Sequence, residues 1–281
     1  MQLFTNLLKM SNNLNKDEAL EETLWGILFL ISYNNTFDLK FNFSEAILQN
    51  MNLDKNYINN PEFLNKISKS SNIRIPFGRI LGELLRDTAA CKFLNSIGIH
   101  AFFEKCFNMD LKADCVIWWK ELIWILSNFF IDNTDYIIKT YQKTEIFETI
   151  FKIAKKHMKI KALLREALLL INLVFNSVDS SQGMKIVIKV LFDLFNEIIM
   201  DESNYKNEIL SPLFHSMYIV FTYGENIKKF TRVNPLVDTW EKSDGFTKLE
   251  SLQFKGDYND SVKYALSALL DDYGKDDVKY E

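Results

Sequence analysis

The sequence predicts an all-helical protein assembled from a repeating helical unit, on three observations. Only nine glycines and four prolines occur in 281 residues, which leaves little material for tight turns. Long alternating runs of β-branched residues are absent, whereas i, i+3, i+4 apolar spacing recurs along the chain. Related apolar cores also return at a fixed interval: RILGELL starts at Arg79, WILSNFF at Trp124 and LLINLVF at Leu169, so both steps are 45 residues.

The chain opens with MQLFTNLLKMSNN, an amphipathic helix pattern without the basic n-region or small-residue cleavage site of a signal peptide. Beyond it, apolar periodicity places helices at about 17–34, 43–53, 72–86, 88–96, 99–108, 113–131, 135–157, 160–177, 182–200, 204–223 and 258–273. The first of these holds WGILFLI from Trp25, a fourth copy of the repeated core. An Asn- and Lys-rich insertion over about 34–71 offsets it from the others.

Helical units recurring every 40 to 47 residues or so point to armadillo or HEAT arrays, in which no unit buries its apolar face without a neighbour. The expected fold is therefore an all-α, right-handed armadillo-repeat solenoid of about five or six repeats. No linker rich in Pro, Gly or Ser divides the chain, so a single array over residues 1–281 is expected, degenerate over 34–71 and 178–257.

A formal net charge of −4 argues against a general nucleic-acid binder, which needs a basic surface. Lys120, Glu121, Arg165 and Glu166 interrupt the most apolar segments, so none reaches the roughly 18 residues that span a bilayer. The odd set Cys91, Cys106 and Cys115 lacks metal-ligand spacing and reads as buried thiols in a reducing compartment. His100, His157 and His215 are scattered, and read as packing or surface residues.

Catalysis finds no named residues. Neither a nucleophile elbow, a phosphate loop nor a HExxH zinc motif occurs. The acidic run DDYGKDD, with Asp271, Asp272, Asp276 and Asp277, has the wrong spacing to hold Mg²⁺ from one helix face, so it reads as a solvated acidic tail. No cofactor is implied.

The stretch WWKELIWILSNFF, residues 118–130, divides when laid around a helix axis at about 100° per residue. Lys120, Glu121, Ser127 and Asn128 fall within roughly 60° of Trp124, while Trp118, Trp119, Leu122, Leu126, Phe129 and Phe130 lie opposite. Trp124 is thus expected in the middle of an exposed polar face. On the first repeat Glu18, Glu21, Glu22 and Ser32 frame Trp25 in the same way. Equivalent stripes in a solenoid align into one surface suited to an extended peptide: tryptophan faces hold lysine stems, asparagine amides pair with peptide main chain, and carboxylates favour a basic ligand.

These residues resemble a known family. RDTAACKFLNSIGIHAFFEKCFN followed by ELIWILSNFFIDN resembles the importin-α repeat, in which a GD-(S/T)-x-AC-type start leads into a helix ending WTLSN. DGFTKLESLQFKGDYNDSVKYALSALLDDYGKDD resembles the last repeat of that family, with its GGL-x-KIE-x-LQ-x-HEN segment and acidic end. Two separated regions in the correct order make the resemblance fairly specific.

The resemblance implies a nuclear import adaptor, moving between cytoplasm and nucleus. Such adaptors bind lysine-rich nuclear localisation signals of cargo proteins in a groove lined by WxxxN pairs. Carried over, Trp124 and Asn128 form the one intact pair, Trp25 keeps the aromatic with Phe29 in place of the asparagine, and Arg79 with Glu83, or Leu169 with Leu173, replace both members. Asp87 falls where the family has an aspartate that pairs with the central lysine of the signal. The expected peptide-binding residues are Trp124, Asn128, Asp87, Trp25, Glu83 and Glu121. Contact with an export receptor would involve the acidic C-terminal end.

Departures accompany the match. The chain is expected to begin within an early repeat, with no Arg/Lys-rich segment ahead of it, so coupling to importin-β is not expected. Several repeats are also expected to be lost between about 178 and 230. The other readings are a degenerate armadillo scaffold serving another protein partner and, more remotely, a helical metal-dependent enzyme.

Overall fold

The computed structural model describes residues 17–37, 61–108, 116–131, 146–177, 185–255 and 257–274. These residues are helical and contain no strand, as the missing alternation predicts. The chain gathers into two compact units, Met1–Asn133 and Thr134–Glu281.

The first unit holds α1 (Asp17–Phe37), α2 (Pro61–Lys69), α3 (Ser71–Leu84), α4 (Thr88–Ser96), α5 (Ile99–Phe107) and α6 (Val116–Ile131). α1 packs on α3 and α3 on α6, with α2 against α3 and α5 against α6. α1 buries Leu20, Leu24, Ile27 and Ile31, one face at helical spacing. α3, flanked on both sides, buries Ile73, Phe77, Ile80, Leu81 and Leu84. Edge-to-face rings join the layers: Phe63 to Phe77 at 4.9 Å and Phe77 to Phe102 at 5.9 Å between centroids.

The α3–α6 contact rests on two glycines. Gly78 and Gly82 lie one turn apart, and a Cβ on Gly78 would stand 2.6 Å from the Trp118 ring. A Cβ on Gly82 would fall within the Trp124 indole. The missing side chains let two tryptophans of α6 lie directly on the α3 backbone. Contacts rise in step along both helices, Arg79 to Glu121 and Gly82 to Asn128, so the two run parallel.

The second unit holds α7 (Ile146–Lys156), α8 (Lys161–Ser177), α9 (Lys185–Met200), α10 (Glu202–Thr231), α11 (Pro235–Glu241), α12 (Gly245–Lys255) and α13 (Asp260–Tyr273). α8, α10 and α13 are successive neighbours, as are α7, α9 and α12. Lateral polar bonds join the first row: the Ser216 hydroxyl donates to the Leu168 carbonyl at 3.1 Å, Ser211 and Ser261 pair at 2.9 Å, and Thr222 pairs with Tyr273 at 3.0 Å. Asn234 caps α11 by accepting from the Leu236 and Val237 amides, and Trp240 is fully buried against Phe192 and Phe221.

Several expectations meet the structure differently. α2, α11 and α12 are short helices that the periodicity did not resolve, because seven to eleven residues sample too few turns. α10 runs to Thr231, past the expected end at 223, because Gly224 faces Asn234 within the packed unit instead of ending the helix. The expected helices at 1–13 and 43–53, the start of that at 135–157, and Cys115, Asp276 and Asp277 lie outside the described residues.

Two measurements check this packing. Gly82→Ala should destabilise the chain by about 1–3 kcal/mol in urea unfolding, since the added methyl collides with Trp124. In a Trp124→Ala background the same change should stabilise by roughly 0.5–1 kcal/mol, the helix-propensity gain alone.

In the second unit, Tyr218 donates to Asp272 at 2.7 Å, and that bond, with burial and the Asp272 charge, pushes the phenol up to about 12. A pKa raised on folding stabilises fully below the ordinary tyrosine value near 10 and fades as pH rises through about 12. Ultraviolet difference titration of Tyr218→Phe against the parent should remove a phenol ionising near 12. Asp272→Asn should bring that ionisation down.

Candidate functional site

The residues singled out by the sequence meet at the α3–α6 seam and along α1. Trp118 is fully buried, as expected of the apolar side, and Trp119 is half-buried. Trp124 is half-buried too, where the helical wheel suggests an open position. The wheel sees one helix only, whereas the glycine on α3 draws the indole down against its neighbour.

Asn128 lies one turn beyond Trp124. Its Nδ2 donates to the Gly82 carbonyl at 3.1 Å. That single bond orients the amide while leaving its Oδ1 and second N–H without a partner among the described residues. The arrangement suits main-chain recognition: a fixed amide with one acceptor and one donor to offer, beside a ring with part of its surface in solvent.

Glu121 is 3% exposed, so its charge demands compensation. Its Oε1 accepts from Arg79 Nε at 3.2 Å and Nη2 at 3.1 Å, and from Lys120 Nζ at 3.2 Å. Glu83 pairs with Arg86 at 3.2 Å. Asp87 is the N-cap of α4, its Oδ1 accepting from the Ala90 amide at 2.8 Å. All three carboxylates expected to attract a lysine already have partners in the protein. The seam also presents an Arg79 side chain that is 43% exposed.

α1 differs. Trp25 is 39% exposed, and Phe29 and Tyr33, at i+4 and i+8, are 67% and 46% exposed. The Phe29 and Tyr33 rings stack at 6.2 Å with an interplanar angle of 29°. Glu18 and Glu22 are exposed and Glu21 is half-buried, and none forms an ion pair among the described residues. Asp17, the remaining carboxylate of the first turns, bridges to Lys66 at 3.0 Å.

Sequence reasoning passed over Gly82, which positions both members of the pair, and the aromatic run Trp25, Phe29, Tyr33. Their signals were present: two glycines at i and i+4 inside a helix, and large aromatics at helical spacing on the side opposite the core.

Two of the three cysteines lie among the described residues. Cys91 and Cys106 are buried thiols that form no disulfide, and burial pushes the Cys106 thiol far above its ordinary value. In the second unit a cavity of about 630 Å³ opens between the α7–α8 turn and the start of α10, lined by Lys155, Lys156, Lys159, Glu197, Asp201 and Tyr205 among others. Its charges nearly balance, and Lys155, which donates to Glu197 at 2.8 Å, has its pKa raised by that bond. Of the acidic tail, Asp271 is exposed and Asp272 accepts from Tyr218. No helix among the described residues is long and apolar enough to cross a membrane.

No protein-family model matches the chain, and no curated protein matches it in sequence.

Replacement of Glu121 provides a test of its structural role. Glu121→Ala should lower stability by about 1–3 kcal/mol, because it leaves Arg79 and Lys120 mutually repelling beside a cavity.

Proposed function

We propose that the chain is an importin-α-like adaptor that binds lysine-rich localisation signals of cargo proteins. In this reading each unit is built from armadillo-type repeats, with α1, α3 and α6 the inner helices of the first unit and α8, α10 and α13 those of the second. Trp124 stacks on a lysine stem, Asn128 pairs with peptide main chain, and Trp25 offers a second ring. Asp87 adds negative charge at the edge of the seam, and Glu83 lies there paired with Arg86.

The observation that carries the reading is the Trp124–Asn128 pair. Asn128 is oriented by the Gly82 carbonyl and keeps a donor and an acceptor open beside a part-exposed indole. The export receptor remains a proposed partner through the acidic end. Coupling to importin-β is not part of the proposal.

A second reading, an armadillo scaffold with a repurposed face, draws on the compensated charges of the seam. Arg79 and Lys120 neutralise Glu121, and Arg86 neutralises Glu83, so the seam offers a lysine-rich peptide little net attraction.

Titration with a lysine-rich signal peptide separates the two. Tryptophan emission should change saturably at low salt, and affinity should fall as salt screens the charges. Asn128→Ala should weaken binding by roughly 5- to 10-fold, the loss of about one hydrogen bond. Trp124→Ala should remove most of the emission response. Absence of saturable binding at low salt would sink the adaptor reading and leave the scaffold.

A further inference from the structure

Resting on the reading of this unit as peptide-binding, but with the segment laid along the α1 axis instead of across α1, α3 and α6, we infer that α1 binds an extended partner segment in which a lysine or arginine is followed two residues later by an aromatic or large aliphatic side chain. The inference comes from the α1 surface itself. Leu20, Leu24, Ile27, Leu28 and Ile31 turn inward, so this helix already has its core face. On another side it presents Trp25, Phe29 and Tyr33 at successive turns, 39%, 67% and 46% exposed. A surface helix normally places polar groups there, and a run of exposed large aromatics marks a contact surface.

Charge specifies the occupant. Glu21 and Glu22 lie one turn before Trp25 and Glu18 lies two, all without ion pairs among the described residues. Carboxylates nearby in the same unit are compensated: Asp17 by Lys66, Glu83 by Arg86, and Glu121 by Arg79 and Lys120. The open negative charge of this face therefore concentrates at one end of the aromatic stripe. A cation lying on the Trp25 ring meets Glu21 and Glu22 together.

Spacing then sets the second position. Trp25 and Phe29 are separated by about 6 Å along the helix axis, and side chains on one face of an extended peptide repeat every 6.6–6.8 Å or so. A cation at Trp25 therefore brings the side chain two residues on to Phe29 and Tyr33. At the matching place in the repeat α6 carries the Asn128 amide, so main-chain pairing there gives way to ring packing here. Hence α1 selects for an apolar side chain that the Trp124–Asn128 pair does not require.

The test uses the full chain and fluorescein-labelled ten-residue peptides centred on Lys-Ser-Phe, Lys-Ser-Ala or Glu-Ser-Phe, read by anisotropy. The parent should bind Lys-Ser-Phe on the order of 10-fold tighter than Lys-Ser-Ala, and Glu-Ser-Phe weakest. Phe29→Ala should erase that preference without changing Lys-Ser-Ala affinity or the urea midpoint, and Glu22→Lys should weaken both lysine peptides. Equal binding of the two lysine peptides, or a preference that survives Phe29→Ala, overturns the inference. A urea midpoint lowered by Phe29→Ala assigns the stripe to the chain's own packing, and a dimer in sedimentation that Phe29→Ala dissolves assigns it to a second copy. Either result also overturns it. Trp124→Ala separates the two proposals: if it weakens a lysine-rich signal while Phe29→Ala is silent, the adaptor reading stands and this inference falls, whereas no saturable binding of any lysine peptide removes both.

Discussion

The first unit depends on a close approach between the α3 backbone and the α6 tryptophans. Gly78 and Gly82, one turn apart, leave no side chain where Trp118 and Trp124 arrive. Interiors are packed to crystal density, so a ring that large needs space made for it on the partner helix. With α6 held in that register, Asn128 reaches the Gly82 carbonyl and Arg79 reaches Glu121. Packing, polar pairing and the position of the candidate site thus share one geometric cause.

Electrostatics then divides the surface of this unit. A carboxylate as buried as Glu121 requires compensation, and the cations that provide it face outward from the seam. The acidic character expected of a lysine-binding surface is consequently muted there. It persists on α1, where Glu18, Glu21 and Glu22 form no ion pair among the described residues beside an exposed indole. The two ends of the surface offer different chemistry, oriented amide and ring on α6 and open acid and aromatics on α1.

The second unit joins its helices by another device. Hydroxyl groups bridge neighbours at Ser216, Ser211 with Ser261 and Thr222 with Tyr273, and the order of contacts shows α10 and α13 to be parallel. Bonded positions lie 48 to 51 residues apart, close to the 46 between Gly82 and Asn128. Both units therefore pair helices at similar separations in the chain, through glycine and indole in one and through hydroxyls in the other.

What the sequence determined by itself was the helical content and the apolar face of the longer helices, because these follow from local periodicity over several turns. It also picked out Trp124 and Asn128 as a pair, since residues four apart necessarily share a helix side. Short helices such as α2 and α11 escaped it for want of turns. Tertiary structure alone decided how far Trp124 is covered, which carboxylates are neutralised and where Asp87 directs its oxygen. Each depends on what a neighbouring segment brings: a glycine at 82, guanidinium and ammonium groups at 79 and 120, the amide of Ala90. A helical wheel gives the direction of a side chain, but burial and charge belong to the pair of surfaces that meet.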